Sequence, residues 1–311
     1  MGETGNTCFG NTELKRHIEV ESDNNFEIQS KTNNTFEIST SSESHETRIF
    51  ENCEKYIDAN CIETHALSSQ KLAETVHEET KQNMINEHGR YMSDEQIERL
   101  KSAETKENLR VMSSEEYTQT FTDVDFNVLG HCDSEGNIYM KDISPEIVKH
   151  VSTHETMHLC ANREHCTDES GNKIFISGLR ENRFDENGSV FCLNQGFNEG
   201  LTEMYTLREL QNRGDLDSEY ALNAYSESRI WSERIEKLVG NETMAAAYFG
   251  GERNEFIYEF NRLNNNDLKA WENFSLDIDT LEYSNDPIKI EQAKWRLMSQ
   301  YSTMAHNKFG I

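Results

Sequence analysis

The chain has 311 residues, and its 30 Lys and Arg against 57 Asp and Glu give a formal net charge of −27. This balance argues against a protein that binds nucleic acid or an anionic membrane, because both kinds of binding need clustered Lys and Arg. The sequence has neither a run of about 18 apolar residues nor an apolar leader, so we expect no transmembrane helix and no secretory signal. The cytoplasm is then the default compartment, and secretion by a non-classical route stays open.

Residues 1–64 are rich in Asn, Ser, Thr and Glu, and their apolar residues are scattered. Such a composition buries too little apolar surface to fold, so we expect an acidic, disordered tail. Two short segments, 25–28 and 35–38, alternate Phe and Ile with polar residues, and a pair of short strands there is the alternative.

Residues 66–110 are predicted to be helical. The stretch 68–87 is rich in Lys, Glu, Gln and Ala and is followed by a Gly that ends the helix. Ser93, with Gln96 three residues later, has the spacing of a capping box and starts a second helix. Because both segments contain few apolar residues, we expect them to lie on the surface.

Residues 124–142 change to a period of two, which is typical of strands. Apolar residues alternate with polar ones over 124–128 and again over 138–140, and the turn-forming sequence Asp-Ser-Glu-Gly-Asn lies between them. This pattern predicts a β-hairpin. The following Ser-Pro-Glu sequence combines a cap residue, Pro at the first helical position and an acid in the first turn, and it predicts a helix over 145–161.

The rest of the chain is predicted to be loops and short strands, then mostly helices. Strands are expected at 173–177 and 189–193, and a helix at 197–212 that ends at Arg213-Gly214. Further helices are expected at 217–239, 242–249, 252–263 and 288–301. The expected fold is therefore α+β, with a small antiparallel sheet or hairpin packed on the helix at 145 and a mainly helical C-terminal part. We divide the chain into a tail (1–64), a core domain (65–213) and a helical C-terminal subdomain (214–311).

The helix at 145 contains the sequence His-Glu-Thr-Met-His at 154–158, which is an H-E-x-x-H pattern. Two histidines four residues apart stand on one face of a helix, so both imidazoles can reach one zinc ion. Glu155 lies about 100° around the helix, beside such an ion but not bound to it, where it can serve as general base and acid for a zinc-activated water. The alternative is a pair of hydrogen-bonded core histidines, because both continue the apolar stripe of Ile147 and Val151.

A second sequence, Asn-Glu-Gly-Leu-Thr-Glu at 198–203, begins the next strong helix. A catalytic zinc centre needs a third protein ligand and keeps one position open. A ligating histidine also needs a partner for its second ring nitrogen. We therefore predict a zinc ion bound by His154, His158 and Glu199, with Glu203 supporting a ligating histidine. Two ordinary surface glutamates on a helix are the alternative.

Together the two sequences resemble the signature of the gluzincin metallopeptidases, the thermolysin-like group, which is H-E-x-x-H followed by N-E-x-x-[ST]-[DE]. The resemblance covers roughly residues 120–215. It implies the same zinc ligands, Glu155 as general base and Glu203 as the acid behind a ligating histidine. In this chain Glu199 follows His158 by 41 positions, a longer insertion than in thermolysin, and the substrate-binding segments of thermolysin have no convincing counterpart.

Hydrolysis at such a site also needs a hydrogen-bond donor for the developing oxyanion. We predict Tyr225 for this role, with Tyr205 as a second candidate, and each has the alternative of a core tyrosine with a bonded hydroxyl. His150 precedes His154 by one helical turn, so it either supports the site or is a polar residue near the start of the helix.

The seven cysteines are an odd number at ordinary density, which favours free thiols over a disulfide framework. Cys160, His165 and Cys166 lie close together in sequence, but their spacing fits no standard zinc finger, so buried or loop thiols are expected there. Cys8 is either an ordinary exposed thiol or an inhibitory thiolate that caps the zinc.

The function predicted from these features is a zinc-dependent endopeptidase acting on a peptide or protein substrate. The resemblance implies that the hairpin before the motif helix holds the substrate as an added strand. One alternative is a regulatory peptidase dedicated to a single protein target and recruited through the acidic tail. The other is a zinc-stabilised, non-catalytic binding module, against which Glu155 argues, because a structural site needs no such acid and closes its fourth position. The sequence predicts no oligomeric state.

Overall fold

The structure, a computed structural model, describes residues 62–310 except 103–107, 123, 125–126, 169, 185–189 and 217–223, and it describes no side chains before Ser69. The predicted disordered tail, its two Phe–Ile segments and Cys8 therefore lie outside the described residues, apart from the backbone of 62–64. Among the residues that are described, no helix is both long enough and apolar enough to span a membrane.

The described residues form ten helices and seven strands, which confirms the predicted α+β class. The helices are α1 Ile62–His88, α2 Asp94–Lys101, α3 Ser114–Thr120, α4 Pro145–Cys160, α5 Gln195–Arg213, α6 Ser226–Val239, α7 Asn241–Gly250, α8 Arg253–Leu263, α9 Ala270–Tyr283 and α10 Pro287–Phe309. The strands are β1 Leu109–Met112, β2 Gly130–Cys132, β3 Ile138–Lys141, β4 Arg163–Thr167, β5 Lys173–Ser177, β6 Arg180–Phe184 and β7 Val190–Leu193.

The first sheet has three strands in the order β1-β3-β2 and packs on α4. The predicted hairpin is present as β2 and β3, which are antiparallel. The strand before the turn was predicted at 124–128, but the structure has it at Gly130–Cys132, and residues 125–126 lie outside the described residues. The Asp133 side chain accepts the backbone N–H groups of Glu135 and Asn137, and pairing begins directly before this turn, at Cys132. The sheet is also mixed rather than antiparallel, because β1, within and just beyond the region predicted to be helical, joins β3 in parallel.

Helix α1 was expected on the surface, but it packs along α4. Its inner face combines apolar side chains such as Val76 and Met84 with small and polar ones, which a count of apolar residues does not register. Ser152 donates its hydroxyl to the carbonyl of Ala73, and the His77 Nδ1 atom lies 2.8 Å from the Thr156 hydroxyl. These buried polar pairs align α1 against the helix that carries the H-E-x-x-H sequence.

The second sheet is antiparallel, with the order β4-β5-β6-β7. Its strands β5 and β7 match the predicted ones, whereas β4 and β6 were missed. The sequence of β6, Arg-Glu-Asn-Arg-Phe, has little apolar alternation and gains its strand conformation from pairing with both neighbours.

The C-terminal helices pack on α5 and on one another around a large apolar core. Buried side chains in this core run from Met84 on α1 to Met304 on α10, so both sides of the predicted boundary at residue 213 contribute to it. The division into a core domain and a C-terminal subdomain stays a prediction. Helix α6 starts at Ser226, and residues 217–223 of the helix predicted at 217–239 lie outside the described residues. Helix α9 was not predicted.

Candidate metal site

Helices α4 and α5 lie side by side and bring the two sequence motifs together. Helix α4 begins with Ser144 at the cap position and Pro145 in its first turn, although the Ser144 side chain makes no capping hydrogen bond. Helix α5 ends at Gly214, whose φ of 74° is a left-handed conformation that Gly adopts without strain. The facing sides of the helices carry both histidines of the first motif and both glutamates of the second.

Three side chains converge on one point between the helices. The Nε2 atoms of His154 and His158 lie 3.3 Å and 3.1 Å from the Oε2 atom of Glu199. One ligand atom from each residue lies within 4.8 Å of those from the other two. This group could hold a metal ion, because two neutral imidazoles and a carboxylate are common metal donors.

The second ring nitrogen of His154 faces Glu203. Its Nδ1 atom lies 3.0 Å from the Oε2 atom of Glu203, and His150 approaches the same carboxylate through its Nε2 atom at 3.1 Å. Because an ionised carboxylate only accepts hydrogen bonds, the Nδ1–H of His154 donates to Glu203 and its Nε2 is left facing Glu199. Of the two interpretations of His150 from sequence, the structure shows the one in which it contacts this supporting acid.

The second ring nitrogen of His158 faces a hydroxyl network that the sequence analysis missed. Its Nδ1 atom lies 3.4 Å from the Oγ1 atom of Thr202, which donates to the carbonyl of Asn198 and lies 2.7 Å from the hydroxyl of Tyr248. Since the Thr202 proton is used on Asn198, the hydroxyl can accept from both His158 and Tyr248. Thr202 occupies the Ser/Thr position of the second motif, which was an available signal, whereas nothing in the sequence links Tyr248 to the site.

The charges of the group are strongly coupled. Burial alone would lower the pKa of His154, but its hydrogen bonds to Glu199 and Glu203 outweigh burial and raise that pKa to about 10. Burial would raise the pKa of Glu199, but the charge of His158 and hydrogen bonds from both imidazoles hold it well below its usual range. Glu203 behaves similarly, with a pKa of about 2 that His150 and His154 lower against burial. A metal ion that binds here must therefore displace a proton.

Glu155 points into the cleft beside this group rather than into the group itself. Its side chain is buried, which raises its pKa, and its carboxylate accepts the backbone N–H of Cys132. Strand β2 lies close against α4 because Gly130 has no side chain, and a Cβ atom there would come within 2.7 Å of Val151 and 3.3 Å of the Glu155 side chain. The close approach of β2 to α4 thus sets the position of Glu155.

Tyr225 and Tyr205 have different surroundings. The ring of Tyr225 stacks on His154 with centroids 5.4 Å apart and 14° between the planes, and Tyr225 lines the cleft. Its φ of 44° is left-handed, which is uncommon for a bulky residue. Tyr205 instead packs in the core against His88 and Phe249 and does not line the cleft.

Cys160 at the end of α4, and His165 and Cys166 on β4, do not join the site. Cys160 is buried in the core, and His165 is exposed on β4. Cys160 and Cys166 are both free thiols.

Comparison of the chain with protein-family models, with curated proteins and with solved structures finds no match.

Proposed function

We propose that this protein is a zinc-dependent peptidase. The observation that carries the proposal is the position of Glu155, an acid buried in the wall of the cleft beside the convergent group of His154, His158 and Glu199. A protein that only bound a metal for stability would not need an acid at this position.

The donor set supports zinc as the metal. Two histidines and one carboxylate form the three-ligand set of catalytic zinc centres, which leave a fourth position open, whereas structural zinc centres use four protein ligands. Zinc–donor distances of about 2.0–2.1 Å in a tetrahedron place donor atoms roughly 3.3 Å apart. The separations of 3.3 Å and 3.1 Å between the imidazole nitrogens of His154 and His158 and the Glu199 oxygen agree with that value.

A zinc ion bound here would polarise the scissile carbonyl and lower the pKa of a water molecule. Glu155 would accept a proton from the attacking water and transfer it to the departing amine. The backbone N–H of Cys132 orients the Glu155 carboxylate, and burial brings its pKa closer to the pH at which it must exchange protons. The ring of Tyr225 stacks on His154, and its hydroxyl donates a hydrogen bond to the developing oxyanion.

Strand β2 is the element that supports extended binding of a peptide. It is an edge strand of the described three-stranded sheet, and Gly130 and Cys132 line the cleft. The carbonyl of Leu129 and the N–H of Asp133 bond toward β3. Backbone groups alternate in direction along a strand, so those of Gly130 and Cys132 turn away from β3. Because the N–H of Cys132 is bonded to Glu155, an extended peptide can pair with the backbone groups of Gly130 and the carbonyl of Cys132 and so pass Glu155.

The test is hydrolysis of an unfolded protein by the purified full-length chain. We expect cleavage that a zinc chelator stops and that added zinc restores. The Glu155→Gln variant is the matched control, because it keeps the side-chain volume and removes the proton acceptor. Zinc binding without any hydrolysis, in the parent protein, would favour the non-catalytic binding module.

A further inference from the structure

One face of the four-stranded sheet forms a wall of the cleft. Arg163 pairs with Ser177, and Ser177 pairs with Arg180, so these three residues form a row across β4, β5 and β6. Phe175 and Asn182 form the next row on the same face, because residues opposite each other on antiparallel strands share a face. All five line the cleft. The wall therefore carries two guanidinium groups, those of Arg163 and Arg180, in a protein that is otherwise strongly acidic.

Arg180 is held with its charged end toward the metal group. Its side chain is only 12% exposed. The Nε–H donates to Asn182 and to the sulfur of Cys192, both at 3.1 Å, and the Nη1 atom lies 4.0 Å from the Oε1 atom of Glu199. The guanidinium of Arg180 therefore presents positive charge to the cleft next to the convergent group.

Asn198 supplies a second donor at the same place. It is fully buried, and its Oδ1 atom accepts the backbone N–H groups of Leu179 and Arg180 at 2.9 Å and 3.3 Å. Its Nδ2 atom has no acceptor among the described residues, and Asn198 lines the cleft. The same side chain thus fixes the backbone of Arg180 beside α5 and leaves an amide N–H group for a ligand.

We propose that Arg180 and Asn198 bind a carboxylate of the substrate beside the scissile bond. This inference rests on the proposed peptidase function and names its substrate class: peptides with an acidic side chain, or with a free C-terminus, at that position. A planar guanidinium matches a carboxylate with two parallel hydrogen bonds. Because Arg180 lies 4.0 Å from Glu199 and an extended peptide advances about 3.3 Å per residue, the carboxylate belongs to a residue that flanks the bond.

Salt distinguishes this local subsite from the overall charge of the protein. A net charge of −27 repels acidic peptides at long range, and added salt screens that repulsion. A contact inside the cleft is screened much less. Affinity for an acidic peptide should therefore rise as salt is added, while the preference for acidic over neutral peptides persists.

Binding is measured by fluorescence anisotropy with the zinc-loaded, full-length Glu155→Gln protein, so that cleavage does not interfere. Three labelled peptides share one sequence: one amidated with Glu next to the central bond, one amidated with Gln there, and one that ends there in a free carboxylate. We expect at least one carboxylate peptide to bind about 10–100-fold more tightly than the amidated Gln peptide, the usual range for a hydrogen bond to a charged group. Which one binds identifies a side chain or a C-terminus as the source.

Two further substitutions are made in this protein. Arg180→Gln should reduce the preference to within about twofold, and Arg180→Lys should keep part of it, because the charge stays but the planar fork is lost. Arg183→Gln is the matched control: Arg183 lies on the same strand with its side chain on the opposite face, paired with Glu181, and the preference should be unchanged.

Equal binding of all three peptides, or a preference that survives Arg180→Gln in folded, zinc-loaded protein, would overturn the subsite. The peptidase proposal is judged separately from the parent protein. Hydrolysis without a carboxylate preference rejects the subsite alone, and a carboxylate preference without hydrolysis rejects the peptidase alone.

Discussion

The carboxylate of Glu203 lies 3.0 Å from the Nδ1 atom of His154, and the Glu203 side chain has no exposed surface. This contact orients the imidazole so that Nε2 faces Glu199. It also links the two motifs directly, because one residue comes from α4 and the other from α5. It supports the proposal that Glu199 is a metal ligand and that Glu203, one turn further along the helix, holds the ligating His154.

Glu203→Gln and Glu199→Gln should form an ordered pair in zinc affinity. Losing the partner of a ligating histidine typically weakens metal binding by about 10–100-fold, so Glu203→Gln should still bind zinc. Glu199→Gln removes a direct bond to the metal and should bind far more weakly. Competition with a chelator measures both variants. If Glu203→Gln lost zinc more readily than Glu199→Gln, the ligand would have been assigned one helical turn away from its true position.

Tyr225→Phe should lower kcat by roughly 100–1,000-fold, the range seen when one oxyanion donor is removed. The ring that stacks on His154 is kept, so zinc content and KM should change little. Tyr205→Phe is the matched control, because Tyr205 is buried in the core, and its kcat should equal that of the parent. Equal kcat in Tyr225→Phe and the parent would remove Tyr225 from the mechanism.

His88 predicts acid sensitivity of the fold. Its ring stacks on Phe249 with centroids 4.3 Å apart, and burial, followed by the charges of Arg208 and Arg90, lowers its pKa from 6.5 to about 4. Between these values the unfolded chain binds the proton and the folded chain does not, so the free energy of unfolding falls as the pH falls through this window.

Protonation linked to His88 lowers the free energy of unfolding by about 1.4 kcal/mol for each unit by which the pH falls through this window. His88→Phe removes the titration and keeps an aromatic ring in the stack. Denaturant unfolding at pH 4.5, 5.5 and 6.5 should therefore show a shallower pH dependence for this variant than for the parent, by that amount. Parallel curves for the two proteins would contradict the neutral, buried state of His88.

The pairing of the residues that converge between α4 and α5 could be predicted from sequence because each pair lies within one helix. A spacing of four places His154 with His158, and Glu199 with Glu203, whatever the rest of the fold does. The contacts between the pairs depend on how α4 packs against α5, which the spacing does not encode. Arg180 was missed for the same reason, since only the pairing of β5 with β6 brings it to the cleft.

Some of the fold could have been predicted more fully. The hairpin turn at 133–137 recurs at 168–172, where Asp168 accepts the backbone N–H of Asn172 at 2.8 Å, as Asp133 does from Asn137. This repeat indicates a second hairpin, formed by β4 and β5. Helix α1 could not have been placed correctly in this way, because the polar side chains on its inner face find their partners on α4 and α5, as His77 does with Thr156 and Thr80 with Arg213.

The most direct test compares zinc content and hydrolysis in the parent, Glu155→Gln and His158→Ala, with His165→Ala as control because His165 is exposed on β4. We predict about one zinc per chain in the parent, in Glu155→Gln and in the control, and little zinc in His158→Ala, since two ligands hold zinc weakly. Hydrolysis should fall at least about 100-fold in Glu155→Gln and be lost in His158→Ala. Equal zinc in His158→Ala and the parent, or unchanged turnover in Glu155→Gln, would contradict a zinc peptidase built on these residues.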